Sequence, residues 1–265
     1  MIMTLFVANI KKHWMLLLIF FAVLTMYTTI MISMFNPDDM EALMQLAEAM
    51  PAGIIEAMGF SALVTDLSSY LASWLYGLLM LAFPMVYSIL LGHKLICKMV
   101  DNSSFAYLLS TPHSRVKIIL TQGLYALCSM LVLFILVFLV GVVTSEAMFP
   151  GHLDVAQYLR LNVTTMLVNM FVMMVVFLFS AIFNDAKYSV GFGSGVPIMF
   201  LLFNMLSNAS DEAQVLGKLT PYGYYDSVSV VQGAETLGIN SVFLLGALAL
   251  LGASVVIFNR KRLPL

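Results

Sequence analysis

Apolar positions in this chain run in long unbroken blocks instead of alternating with polar ones. Six blocks hold no Asp, Glu, Lys or Arg: 13–37, 67–93, 118–145, 161–184, 188–210 and 236–259, each 23 to 28 residues long. A hydrocarbon core about 30 Å thick takes roughly 20 helical residues to cross, so every block is long enough to span with some tilt. Lipid offers no partner to backbone N–H and C=O groups, and the blocks lack the in-out alternation of barrel strands, so the spanning elements are helices. The pattern predicts an all-α integral membrane protein with six transmembrane helices at about 14–35, 67–92, 118–144, 161–183, 189–207 and 238–258.

The intervening segments are short and form one domain with no soluble module. In the first outer segment, 36–66, Asp38-Asp39-Met40-Glu41 has the spacing of a helix start, with a capping acid and a Glu three residues on. A short helix to about Ala49 and a second between Pro51 and Gly59 lie flat on the membrane surface or form a solvated loop; both readings fit. A further outer segment covers 145–160. The last, 208–237, predicts a turn or two of helix from Glu212 to Leu219. Its Pro221-Tyr222-Gly223-Tyr224-Tyr225 cluster sets three tyrosines at headgroup level, as an aromatic belt or in a hairpin dipping into the interface.

Composition agrees with the blocks: 62% of residues are hydrophobic and 10% charged, against about a quarter charged in a soluble domain. The net charge of −2 says little until it is divided between loops. Ten of the twelve Lys and Arg residues (Lys11, Lys12, Lys94, Lys98, Arg115, Lys117, Lys187, Arg260, Lys261 and Arg262) fall on one side, leaving only Arg160 and Lys218 on the other. By the positive-inside rule both termini are cytoplasmic. The first block follows Lys11-Lys12 but is too long for a secretory signal and no small-residue cleavage site precedes Asn36-Pro37-Asp38, so it is read as an uncleaved anchor.

Several chemistries are excluded. No Gly-x-x-x-x-Gly-Lys-Ser/Thr cradle for nucleotide phosphates occurs, and Gly191-Phe192-Gly193-Ser194-Gly195 follows no strand and lacks the lysine. Gly191 and Gly195 make a small-xxx-small pair that admits a close helix partner, or a flexible entrance before a Pro197 kink. The histidines His13, His93, His113 and His152 are scattered and Cys97 and Cys128 have no metal spacing, so neither a metal site nor an intramembrane enzyme is expected. No block holds an acid or base, which disfavours a proton-coupled carrier; a passive channel or secondary transporter is the alternative to a driven permease. Thr25, Thr28 and Thr29 share a face of the first span, and Asn162, Thr165 and Asn169 a face of the fourth; each stripe serves interhelical hydrogen bonds or a substrate path.

The segment 93–117 carries most of the information. A basic exit from the membrane leads to Asp101-Asn102-Ser103 as helix-capping residues, then a short apolar helix Ser104–Leu109 stopped at Thr111-Pro112, then Arg115 and Lys117 at re-entry. Phe105, Leu108 and Leu109 stand at i, i+3 and i+4 and form an apolar ridge that meets a partner or the membrane surface.

This loop, with Tyr107-Leu108-Leu109-Ser110-Thr111-Pro112-His113-Ser114-Arg115, resembles that of the type-2 ABC exporter permeases. Pro221-Tyr222 before the last span and the basic stub Asn259-Arg260-Lys261-Arg262 are similar to the same family, although Asp101 alone and Ser104 stand where its loops carry an acidic pair and a glycine. The resemblance implies a half-transporter. Two copies, or this chain and a paralogue, surround a path for cargo and sit on two ATP-binding cassette subunits in a bacterial plasma membrane, with lipid around them and no nucleic acid. ATP and Mg²⁺ belong to the partner, and this chain binds no cofactor and no metal. Residues 101–115 are then the coupling helix, with Asp101, Ser104, Phe105, Leu108, Leu109, Pro112 and Arg115 as its contacts. The stretch Leu5–Lys12 corresponds to an interfacial helix, and the first and fifth spans to the permease contact near Gly191 and Gly195. The cargo is left open.

Overall fold

The computed structural model describes residues 1–37, 66–101, 105, 108, 110, 112–209 and 213–261. Among them, six helices have the length and apolarity to cross a membrane. The expected helices of the first outer segment, between Asp38 and Gly59, lie outside the described residues.

Helix α1 (Met3–Ser33) has no Gly or Pro to interrupt it, so the amino-terminal stretch 5–12 is not a separate helix but runs straight on into the span. At 1.5 Å per residue it is roughly 46 Å long and overshoots a hydrocarbon core of about 30 Å. Its start is fastened to the third span. The Ile2 N–H donates to Thr121 Oγ1 at 2.8 Å, and the Asn9 amide donates to Gln122 Oε1, with both side chains buried.

The block expected as a single second span at 67–92 is broken. It forms α2 (Leu67–Leu71), a π-helical turn (Ala72–Tyr76), an irregular residue at Leu78 (φ −136°, ψ −53°) and then α3 (Leu79–Leu95), which continues into α4 (Cys97–Asp101). The continuous helical part with the length and apolarity to cross is therefore 79–101. Only glycine fits at the exit of the π turn, because a Cβ on Gly77 would stand 2.6 Å from the Ser73 carbonyl oxygen. Pro84 inside α3 has no N–H, which leaves the Met80 carbonyl without its i+4 donor. That oxygen instead receives the Asn169 side-chain amide at 3.0 Å.

The remaining spans are α5 (Arg115–Met148), α6 (Val155–Ile182), α7 (Ala186–Ala209) and, after α8 (Gln214–Gly217), a 3₁₀ turn (Pro221–Tyr224) and α9 (Ser227–Val231), the last helix α10 (Leu237–Arg260). Asp154 caps α6 by accepting from the Ala156 and Gln157 N–H groups at 2.9 and 3.0 Å, and Ser114 caps α5. Helix α6 is the centre, packed against α3, α5, α7, α9 and α10. The buried side of α10, Phe243, Ala247, Leu251, Ser254 and Phe258, is one stripe at helical spacing. The close approach of α5 to α6 depends on Gly141, where any Cβ would collide with the Tyr158 ring.

Two of the three headgroup tyrosines face the protein instead. Tyr222 and Tyr225 are buried, and only Tyr224 is exposed, at 59%. The fixed φ of Pro221 opens a 3₁₀ turn with the Tyr222 N–H on Thr220 Oγ1, and the turn carries the segment inward until the Tyr225 hydroxyl meets Thr165 Oγ1 at 2.7 Å.

Candidate functional site at the basic end of the bundle

The helix ends sort into two sets, as alternating spans require. One set gathers the ends of α4, α6 and α10 and the starts of α1, α5 and α7, and carries Lys94, Lys98, Arg115, Lys117, Lys187, Arg260 and Lys261. The segment between α4 and α5 lies at this end, and it is tied down at three points.

The first tie is Asp101. Expected to cap the helix of its own loop, whose first residues lie outside the described ones, it reaches across so that a carboxylate oxygen accepts the Ala186 N–H at 3.2 Å. Ala186 opens α7, and its N–H is one of the four that a helix start leaves without an internal partner, so a carboxylate there is favoured. The second tie is Phe105. Placed by sequence on an outward ridge, it is fully buried and meets the Phe258 ring at 5.1 Å between centroids. Spacing alone groups Phe105 with Leu108, but a phenyl ring near the end of α10 removes it from water, and such a pair contributes about 0.5–1.5 kcal/mol beyond area burial. Leu108 is half-buried against the same core, while Ser110, Pro112 and His113 are exposed. Ser104 and Leu109 lie outside the described residues.

The third tie is a chain of hydrogen bonds that sequence reading missed. The Arg115 guanidinium, at the start of α5, donates to the Lys261 backbone carbonyl at 2.9 Å. Lys261 follows the end of α10, and its ammonium donates to the carbonyls of Ala181 at 2.9 Å and Phe183 at 2.6 Å. These carbonyls close α6, so a lysine here satisfies acceptors that the helix cannot, at the negative end of its dipole. The same ammonium lies 5.6 Å from the centroid of the Phe258 ring that covers Phe105. Burial pulls the Lys261 pKa down from the ordinary 10.5 to about 8. The only sequence signal was the basic stub, which reads equally well as a charged helix end.

The other predicted site residues lie elsewhere. Asn162, Thr165 and Asn169 are buried inside the protomer: Asn162 donates to the Tyr76 hydroxyl at 2.9 Å, Thr165 meets Tyr225, and Asn169 bonds the Met80 and Thr165 carbonyls. The stripe thus faces the protein core and joins α6 to the second block and the last outer segment. Thr28 is buried and Thr25 and Thr29 half-buried; the hydroxyls of Thr25 and Thr28 have no hydrogen-bond partner among the described residues. Gly191 and Gly195 lie within the continuous α7, and no described atom comes within 4 Å of a Cβ built on either, so that face is open to a second helix. Tyr188, Val190 and Phe192 beside them are exposed.

An apolar groove of about 440 Å³ opens between α1 and α5, walled by Phe6, Ile10, Trp14, Tyr125 and Cys128 among others. The four histidines stay apart: His13 lies against Tyr125, His93 reaches Ser189, His113 is exposed, and His152 stands among the Phe35 and Phe149 rings. No three His, Cys, Asp or Glu side chains gather among the described residues.

No curated protein and no solved structure matches the chain. The family model described as ABC-2 family transporter protein matches residues 6–263, which takes in all six spans and the fastened loop. An all-helical bundle without a nucleotide cradle, matched by that family over nearly its whole length, belongs to the ABC-2 transporter family as a membrane-spanning permease subunit.

Proposed function

We propose that this chain is half of the membrane part of an ATP-driven exporter in a bacterial plasma membrane. It pairs with a second copy or a paralogue and takes movement from two ATP-binding subunits through residues 101–115. Those subunits hold the ATP and Mg²⁺. The observation that carries this reading is the fastening of the 101–115 loop. One short surface segment is tied to α7 through Asp101 and to α10 through Phe105, and Arg115 at its end is tied to the residue after α10. A loop that only joins two neighbouring spans has no need of contacts with two others. The fastened part leaves Ser110, Pro112 and His113 exposed as the surface for a partner.

The reading is tested at Pro112, because its side chain is exposed and an acid there costs the isolated chain little. Against a docked ATP-binding subunit, Pro112→Asp puts an unpaired carboxylate into a desolvated contact, at a cost of several kcal/mol. A loss of 3 kcal/mol corresponds to roughly a hundredfold weaker docking. The variant should reach the membrane at normal abundance and purify without its ATP-hydrolysing partner. Retention of the partner at the wild-type ratio would remove the coupling role of the loop. Orientation is checked with single cysteines: Lys187→Cys should be shielded from an impermeant thiol reagent added to intact cells, and Asp154→Cys should react.

A further inference from the structure

Residue 261 lies after the last span, where a permease chain needs nothing more than a charged end. Its contacts are more specific than that. The Lys261 ammonium binds two carbonyls at the close of α6, its own carbonyl holds Arg115, and the neighbouring Phe258 ring holds Phe105. The two helices joined by this residue also interlock along the membrane. The α10 stripe from Phe243 to Phe258 is buried against the bundle, Phe243 meets Phe171 of α6 with 6.1 Å between ring centroids, and a Cβ on Gly246 would strike that same Phe171 ring. Closely packed side chains transmit displacement instead of absorbing it. A push on Phe105 therefore arrives at Phe258, and Lys261 fixes that end of α10 to the end of α6.

We propose that Lys261 is a positioning residue that directs the movement of the 101–115 loop into α6 and α10 as one body, and from there to the opposite ends of those helices at Val155 and Leu237. This rests on the loop being the input, as proposed above. It adds where the input goes: to the fourth and sixth spans, and not merely to the second and third spans that the loop joins covalently.

The test uses spin-label distances in nanodiscs, with Cys97 and Cys128 first changed to Ala. One label pair reports the basic end (His113→Cys with Lys187→Cys) and one the opposite end (Met34→Cys with Leu237→Cys); all four positions are exposed. In the complex with the co-purified ATP-binding subunits, Mg-ATP with orthovanadate should shift both distances in the wild type. In Lys261→Met, which keeps the stem but has no donor, the basic-end shift should persist and the opposite-end shift should fall by at least half. Lys261→Arg, which keeps charge and donors, should restore it. A Lys261→Met complex whose opposite end moves as in the wild type overturns the assignment, as does an Arg variant no better than Met. A general loosening of the bundle would instead alter both pairs before nucleotide is added.

If no ATP-hydrolysing subunit accompanies the chain, the functional reading falls, and the strut formed by Lys261 between α6 and α10 is then judged on the chain alone. There Phe105→Ala and Lys261→Met should each broaden the opposite-end distance, and the double variant should show no more than the larger single effect, as expected of residues in one path. Additive broadening would sink the strut even with the functional reading intact.

Discussion

Helices α1 and α6 are almost equally apolar, yet they occupy opposite places in the molecule. In the most apolar stretch of α6 72% of positions are buried in the protein, against 17% in α1. Hydrophobicity does not account for the contrast, since the two helices are alike in it and lipid tails, as apolar as leucine, do not drive one apolar helix inward over another. The difference lies in the polar atoms. Helix α6 carries Asn162, Thr165, Asn169 and Ser180, each bonded to another segment: to Tyr76, Tyr225, the Met80 carbonyl and the Gly92 carbonyl. Among the described residues helix α1 makes such bonds only near its start, through Ile2 and Asn9, and its outward side leaves Trp14, Met15, Leu18, Ile19 and Met26 exposed. Position in this bundle is set by a few amides and hydroxyls, with shape filling in around them.

The hardest test of that contrast is Asn169→Leu, which roughly keeps volume but leaves the buried Met80 carbonyl without a donor. A buried unsatisfied acceptor costs about 1–3 kcal/mol. Denaturant titration in mixed micelles should show a loss of that size, while Met26→Ala on the exposed side of α1 should change stability by less than about 0.5 kcal/mol. Equal losses at the two sites would break the comparison.

A second test replaces polar bonds with fit. Gly141→Ala drives a methyl into the Tyr158 ring and should destabilise the chain at the low end of the about 1–3 kcal/mol typical of overpacking. Gly191→Ala and Gly195→Ala on the open face of α7 should leave the melting temperature of the isolated chain unchanged. If that face receives a second protomer, the same two substitutions should instead lower the dimer fraction seen by crosslinking at α7. A fall in monomer stability on Gly191→Ala would mean the face is already filled.

The smallest effect concerns pH. With its pKa lowered by burial to about 8 from the ordinary 10.5, Lys261 is still protonated in the unfolded chain over a range where the folded chain has released the proton. The unfolded state then binds more protons, so this residue adds stability as pH rises from about 8 to 10.5, and below 8 the full cost of its burial persists. Melting temperatures at pH 7.5 and 9.5 should show this rise in the wild type and lose it in Lys261→Met, whereas Lys11→Met on exposed α1 should keep it.

Sequence reading captured what depends on solvent. The six blocks are six spans because length and apolarity alone decide whether a helix can cross. It did not capture what depends on partners. The second block is uniformly apolar, so nothing in its hydropathy shows that Ala72–Tyr76 is a π turn or that the long helix begins at Leu79. Phe105 sits on the same helical face as Leu108 in any reading, but which apolar surface covers it depends on Phe258, more than 150 residues later. The Asn162, Thr165 and Asn169 stripe was visible as a stripe; its bonds to Tyr76, Tyr225 and Met80 were not, since each partner lies 60 or more residues away. Lys261 was counted as one of ten basic charges, and its two acceptors belong to a helix end that no local pattern points to.

The bond between Asn169 and the Met80 carbonyl also bears on how the chain is made. Ribosomes deliver the spans in order, so the segment around Pro84 enters the bilayer while residue 169 has yet to be synthesised. Until then its freed carbonyl must be served by water or by the insertion machinery. The first three spans are accordingly an incomplete set that should stay beside the insertase until the fourth arrives, and a chain truncated after Met148 should be a preferred substrate for membrane quality-control proteases.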